Sequence, residues 1–310
     1  MRATTFILAT FAAGCIPAAW ALAAARWPRR SPAAAIVLWQ ALGLGWGLAA
    51  VGALAGLGTA DARAGVAGGA LALADRIMQG RSLAAGILGL RLLALTAGLV
   101  LLLLLCWILV AAFAAVMRAR RRQRVLLSLL AHGDPKVPGA LVVDHPAATA
   151  YCVPGLRSKI VISAGALNLL DQAELAAVLA HERAHLRERH DLVLLPFTAL
   201  LRAFRWSAVA CEAHAAVSLL VEMLADDRAL RHRPARELAT ALLRVGVAGG
   251  GRAPIGAPAA ADGAGECQVA ARVSRLLRPA PRLPAPTLVL VGVIAAAIVA
   301  IPAACLALPF

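Results

Sequence analysis

The chain has 310 residues, 61% of them hydrophobic and only 4% aromatic, with a mean hydropathy of +0.79 and a net charge of +15. A soluble globular domain is nearer half apolar, so this composition excludes an ordinary soluble protein and favours a membrane class. Nor does the charge carry a nucleic-acid reading: residues 125–284 hold 18 Lys and Arg against 14 Asp and Glu, and the remaining excess sits beside apolar runs.

Residues 3–25, 33–60, 92–117 and 285–310 contain no Asp, Glu, Lys, Arg or His. About 20 apolar residues cross a ~30 Å hydrocarbon layer, so four spans are expected, at about 3–25, 34–58, 92–117 and 285–310. The first is read as an uncleaved span, because its leading segment carries only Arg2 and an arginine cluster follows it. Arg26, Arg29 and Arg30 follow span one; Arg118, Arg120, Arg121, Arg122 and Arg124 follow span three. Such clusters resist translocation and mark the cytoplasmic side. The expected organisation is three spans in residues 1–117 with an outer loop at 61–91, a cytosolic domain at 118–284 and a fourth span at 285–310, both termini lying outside. Only Lys136 and Lys159 occur among the basic residues other than arginine, and Ala is abundant, a coding bias associated with bacteria. The expected location is therefore a bacterial plasma membrane. The six cysteines form no C-x-x-C and no framework, as suits a reducing cytosol.

Residues 125–132 read as a continuation of span three. "LVVDHP" (141–146), "ATAYCV" (148–153) and "SKIVIS" (158–163) are short β-type runs separated by turn residues and predict a small antiparallel sheet. Asp171 followed by Glu174 forms a capping-box signature, and a helix is expected over 172–190. Further helices are expected over 193–231 and 234–246. The Gly/Ala/Pro-rich run 248–265 reads as a flexible loop. "CQVAARVSRLLRP" (267–279) reads as a basic amphipathic helix near the membrane surface.

The chemistry concentrates in "LAHERAHLRERHD" (179–191), where His181, Glu182 and His185 form H-E-x-x-H. Positions four apart share one helix face, so both imidazoles point the same way, as two nitrogen ligands of one Zn2+ require. Glu182 falls beside the metal, where it can take a proton from water. A third ligand is then needed. Asp191 occupies the last metzincin position, but Glu188 stands where that pattern has its turning Gly. His190 falls on the face opposite His181, where a packing or surface role is expected. Glu222 is the best third ligand, delivered by a crossing helix, with Asp226 on the same face to accept a hydrogen bond from the far nitrogen of a metal-bound His. This is a gluzincin layout with one Zn2+ per chain. Tyr151 is expected to pack rather than act as an oxyanion donor; His214 and His232 read as surface histidines, and Arg183 and Arg187 as a solvated face. "SKIVIS" is the candidate strand for holding an extended substrate.

Three spans, an H-E-x-x-H domain with a downstream E-x-x-x-D, and a fourth span resemble the BlaR/MecR-type antirepressor metallopeptidases, peptidase family fifty-six. "IVISAGALNLLDQAELAAVLAHERAH", "VEMLADDRAL" and "RVSRLL" carry the likeness. The resemblance implies a mainly α membrane protein with a cytosolic α+β zincin-like domain inserted between spans three and four. It also implies His181, His185 and Glu222 as zinc ligands, Glu182 as general base, Asp226 behind them, and a protein substrate such as a winged-helix repressor. No direct nucleic-acid binding is expected. The β-lactam sensors of that family carry a penicillin-binding domain after the last span; here the expectation is a form truncated without it. CAAX-prenyl-protease and HtpX-like membrane peptidases share the metal motif and form the alternative.

Overall fold

A computed structural model describes residues 2–59, 75, 78–79, 85–133, 140–153, 159–248 and 262–307. Most of the expected outer loop 61–91 and of the expected flexible loop 248–265 lies outside these residues. The chain divides into two compact units: Met1–Val110 with Ala199–Ala216 and Leu283–Phe310, and Ala111–Thr198 with Val217–Arg282.

The first unit contains α1 (Arg2–Ala24), a 3-10 turn (Trp27–Arg30), α2 (Pro32–Gly58), the start of α3 (Ala85–Leu130) and α10 (Ala285–Ala307). Ser31 precedes α2 and a Pro occupies its first turn, where the missing N–H has no helical partner to lose. α2 packs on both α1 and α10, and small residues permit the approach. A Cβ at Gly45 would lie 2.6 Å from the Ile298 carbonyl oxygen, and one at Gly52 would lie 3.0 Å from Leu8 Cδ1. Leu8, Ala49 and Ala53 form the buried centre with Phe11, Ala12 and Cys305 around them. Leu93, Leu103, Trp107 and Val110 of α3 are instead exposed, the surface that hydrocarbon would cover.

Among the described residues, five helices are long and apolar enough to cross a membrane: Ala3–Ala24, Pro32–Gly58, Leu88–Leu127, Ala208–Ala229 and Ala285–Ala307. Four coincide with the expected runs. The fifth lies within the segment 118–284 expected to be a cytosolic domain, and is apolar over most of its length, "AVACEAHAAVSLLVEMLA". The third runs on to Leu130, since residues 99–130 contain no Gly or Pro and are rich in strong helix formers.

The second unit opens with four strands, β1 (Ala131–Gly133), β2 (Ala140–Val143), β3 (Ala150–Val153) and β4 (Lys159–Ser163), in the order β1-β2-β4-β3. β1 continues directly from α3, so the expected helix ends slightly early. β2 pairs with β4 in parallel, Ala140 opposite Ile160, while the other two pairings are antiparallel. The sheet is therefore mixed, where a purely antiparallel one was expected. β4 lies inside it, as its apolar run implies: Ile160, Val161, Ile162 and Ser163 are all buried, the signature of a strand covered on both faces. That placement removes "SKIVIS" as the substrate-holding strand, since both its edges are already paired. The exposed edge beside the motif helix is β3.

Among the described residues, the helices between β4 and α10 are α4 (Ala164–Leu169), α5 (Gln172–Glu188), α6 (His190–Ala203), α7 (Ala208–Ala229), α8 (Ala235–Val247) and α9 (Asp262–Leu277). α5 starts at the expected capping box: Asp171 Oδ1 accepts from the Ala173 and Glu174 amides at 2.9 and 2.8 Å, and Glu174 Oε2 accepts from the Asp171 amide at 3.0 Å. The same Glu174 oxygen accepts from Arg244 Nη1 of α8 at 2.8 Å, which ties the start of the motif helix to its neighbour. Ile160, Ile162, Leu175 and Leu179 join α5 to one sheet face. Leu127, Val153, Val161 and Tyr151 fill the other. The helix expected over 193–231 is broken at Phe204–Ser207, and Ser207 Oγ accepts from the Ala210 amide at 3.4 Å as a new helix begins.

Candidate metal centre

α5 projects His181 and His185 from one face, and their Nε2 atoms stand 3.0 Å apart. The second half of α7 brings Glu222 against them: Oε2 lies 3.4 Å from His181 Nε2 and Oε1 3.6 Å from His185 Nε2. These three form the cluster of metal-ligating type among the described residues. Zinc bonds of 2.0–2.2 Å in tetrahedral array place ligand atoms about 3.3–3.5 Å from one another. Separations of 3.0, 3.4 and 3.6 Å match that triangle, and two imidazoles with one carboxylate leave the fourth position open. The donor set fits zinc.

Asp226 sits one turn beyond Glu222, only 1% exposed, with Oδ1 3.0 Å from His181 Nδ1. A carboxylate can only accept there. The Nδ1 proton of His181 is thus held toward Asp226, so that once its second proton is displaced the lone pair lies on Nε2, the atom facing the cluster. Glu182, half-buried, lies near His181, Glu222 and Arg272. Burial, reinforced by the Glu222 charge, lifts its carboxyl to about 7 against the pull of His181. In the metal-free state burial disfavours charge on both motif histidines, with opposite outcomes. Hydrogen bonds to Asp226 and Glu222 overcome it at His181, which is held at about 9, whereas His185 falls to about 3.

Four side chains escaped the sequence reading. Arg272, 7% exposed on α9, donates to both Asp226 oxygens at 2.9 and 2.7 Å and lies 2.9 Å from Glu222 Oε2. Arg275, three residues on, forks onto Asp227 at 2.8 and 2.8 Å. α9 was expected as a basic amphipathic helix near the membrane surface; these two arginines clamp it to α7. Periodicity could not separate an arginine aimed at lipid from one aimed at a buried carboxylate. Cys152, read as isolated, hydrogen-bonds Glu182 from β3, and burial together with that carboxylate pushes its thiol up to about 12. It therefore stays a protonated donor. His190, expected on the opposite face, is buried against His185.

The remaining candidates lie elsewhere. Tyr151, on the opposite face of β3 from Cys152, packs with Leu127 and Val161 and bonds Gln123, as expected of a packing residue. Asp191 pairs with Arg120, and Glu188 with His190 and Arg228, so neither joins the cluster. Arg183, Arg187 and His232 are exposed and His214 is half-buried outside the cluster.

Two imidazoles from H-E-x-x-H, a carboxylate from a later helix and an intervening glutamate define the architecture of a metallopeptidase centre. In agreement with it, residues 116–232 match the family model described as Peptidase family M48. The match supports a metallopeptidase, and with the apolar helices a membrane-associated one; it does not extend to the BlaR/MecR-type subtype that the motifs resemble. No curated protein and no solved structure matches the chain.

Proposed function

We propose that this chain is a membrane-embedded zinc endopeptidase that hydrolyses peptide bonds of a cytosolic or membrane-proximal protein. The observation that carries the reading is the His181–His185–Glu222 triangle with Glu182 beside it. A zinc ion bound there supplies Lewis-acid polarisation of the scissile carbonyl and acidifies water. The chain's own groups do the rest. Glu182, with a proton affinity poised near neutrality, accepts a proton from the attacking water and returns it to the departing amine. The Cys152 thiol, donating to that carboxylate, restrains its orientation. Asp226 and Arg272 hold His181 and Glu222 in place so that neither must reorganise during reaction. Among the described residues β3 is an edge strand, and its outer side would take an extended segment as an added strand with little dependence on side chains.

Arginines after spans one and three favour a cytoplasmic catalytic unit with both termini outside. A winged-helix repressor is the substrate favoured by the motif resemblance. A membrane-protein quality-control peptidase of the CAAX-prenyl-protease or HtpX-like kind is the second reading. It is favoured by Glu222 riding on a helix apolar enough to cross a bilayer, which suits substrates near the membrane. A non-catalytic zinc scaffold would not need Glu182. The purified chain should hold one zinc and cleave an unfolded protein such as casein. Glu182→Gln should keep the zinc, lose cleavage, and in cells trap the substrate for mass spectrometry. Equal cleavage by wild type and Glu182→Gln would overturn the proposal.

A further inference from the structure

His190 is among the most deeply buried polar residues of the chain, 2% exposed, and the sequence gives it no role. A helix continued straight through residue 190 would turn its imidazole away from the cluster. The backbone breaks first: Arg189 adopts the left-handed conformation, φ 49° and ψ 48°, the only residue other than glycine with positive φ among the described residues. α6 then restarts at His190. The break carries His190 back beneath the motif, with Nδ1 3.0 Å from His185 Nδ1 and ring centroids 4.8 Å apart in an edge-on arrangement. Its other nitrogen, Nε2, lies 3.3 Å from Glu188 Oε2, and Glu188 in turn pairs with Arg228 of α7.

The hydrogen positions follow from the end of this chain of contacts. The Glu188 carboxylate only accepts, so His190 places its proton on Nε2. His190 Nδ1 is then a lone pair, and the facing His185 Nδ1 must carry a proton. His185 Nε2, 3.0 Å from His181 Nε2, is left with its lone pair toward the cluster. On the other side, Asp226 imposes the same tautomer on His181. We propose that His190 is a positioning residue for the metal centre, the acceptor that fixes the tautomer and ring plane of His185 through the Glu188–His190–His185 relay. The inference rests on His185 being a zinc ligand. It gives the strained backbone at Arg189 a purpose, since an uninterrupted helix could not present His190 to its neighbour.

The test uses the full chain in detergent, with zinc affinity measured by chelator competition at a temperature where the metal-free variants remain folded. Removing such partners of metal-bound histidines weakens metal binding about 10–100-fold, so His190→Ala should lose affinity by that factor and alter the visible spectrum of the Co2+-substituted protein. His190→Gln, whose amide can accept from His185 and donate to Glu188, should recover most of the affinity; a merely space-filling role would show no such rescue. Glu188→Ala leaves His190 in place but frees its tautomer, and should weaken zinc about tenfold. Wild-type affinity in both His190→Ala and Glu188→Ala, in a protein that binds zinc and loses it on His185→Ala, would overturn this inference alone. Failure of the wild-type protein to bind zinc would overturn the reading beneath it as well.

Discussion

Replacing Arg272 with Ala removes one buried guanidinium that bonds two carboxylates of α7. Arg272 is 7% exposed and lies within 2.7–2.9 Å of Asp226 and Glu222. Without it, Asp226 keeps only His181 as a partner, and two carboxylates one helical turn apart lose the cation between them. Removing one member of a buried ion pair destabilises by about 3–5 kcal/mol. For a domain of this size each kcal/mol moves the melting temperature by about 2–4 °C, so metal-free Arg272→Ala should melt roughly 6–20 °C below wild type. Zinc should narrow the gap, because the ion brings positive charge to Glu222; saturation at a thousand times Kd adds about 4 kcal/mol. Affinity weakened about 10–100-fold would keep that rescue incomplete. The assay is thermal unfolding of the detergent-solubilised chain, followed by far-ultraviolet circular dichroism because all six tryptophans lie in the other unit, with EDTA and with excess zinc. The double variant Arg272→Ala/Asp226→Asn should lose clearly less than the sum of the singles. Additive losses, or a metal-free Arg272→Ala within about 2 °C of wild type, would refute the reasoning.

Glu182 must be ionised to take a proton, and burial lifts it to about 7. A bound cation can only lower that value, so kcat/KM should fall on acidification with a midpoint at or below 7, and Glu182→Gln should lose about 10²–10⁴-fold with no loss of metal. His181, held at about 9 without metal, carries an extra proton at pH 7.5 that zinc must displace. Calorimetric titration in buffers of different ionisation enthalpy should therefore report release of about one proton per zinc, falling away as pH rises past 9. Gly45→Leu puts a side chain where a Cβ would already lie 2.6 Å from the Ile298 carbonyl oxygen; the loss should be about 1–3 kcal/mol, read as a lower melting temperature with zinc affinity unchanged.

Much of the site was legible because its signals are local. The capping box at Asp171, the helical spacing of His181 and His185, and the one-turn offset of Glu222 and Asp226 each follow from backbone periodicity. What escaped depends on partners distant in sequence or on a single backbone dihedral. Arg272 meets Asp226 across 46 positions, and its surroundings in sequence read equally well as a lipid-facing basic helix. His190 was misplaced by assuming one uninterrupted helix; the left-handed Arg189 shows no glycine or asparagine to announce it. The β-runs were recognised but not their order, because a parallel β2–β4 pair leaves the same apolar residues in each strand as a hairpin would. That order decides which strand has a free edge, and hence where a substrate could lie.

The charges at the centre explain why an arginine is buried there at all. With zinc bound and His181 neutral, a divalent ion would face three carboxylates, Glu182, Glu222 and Asp226, and Arg272 supplies the third positive charge that leaves no net charge. Without zinc, the proton retained by His181 joins Arg272 in offsetting Glu222 and Asp226, and the raised Glu182 is only partly ionised. The site thus stays close to neutral in either state. In a poorly hydrated setting that condition matters, since an uncompensated buried charge destabilises by several kcal/mol. Arg272 therefore does more than brace Asp226: it favours the charged form of Glu182 beside two other acids, as the proposed general base would need at neutral pH.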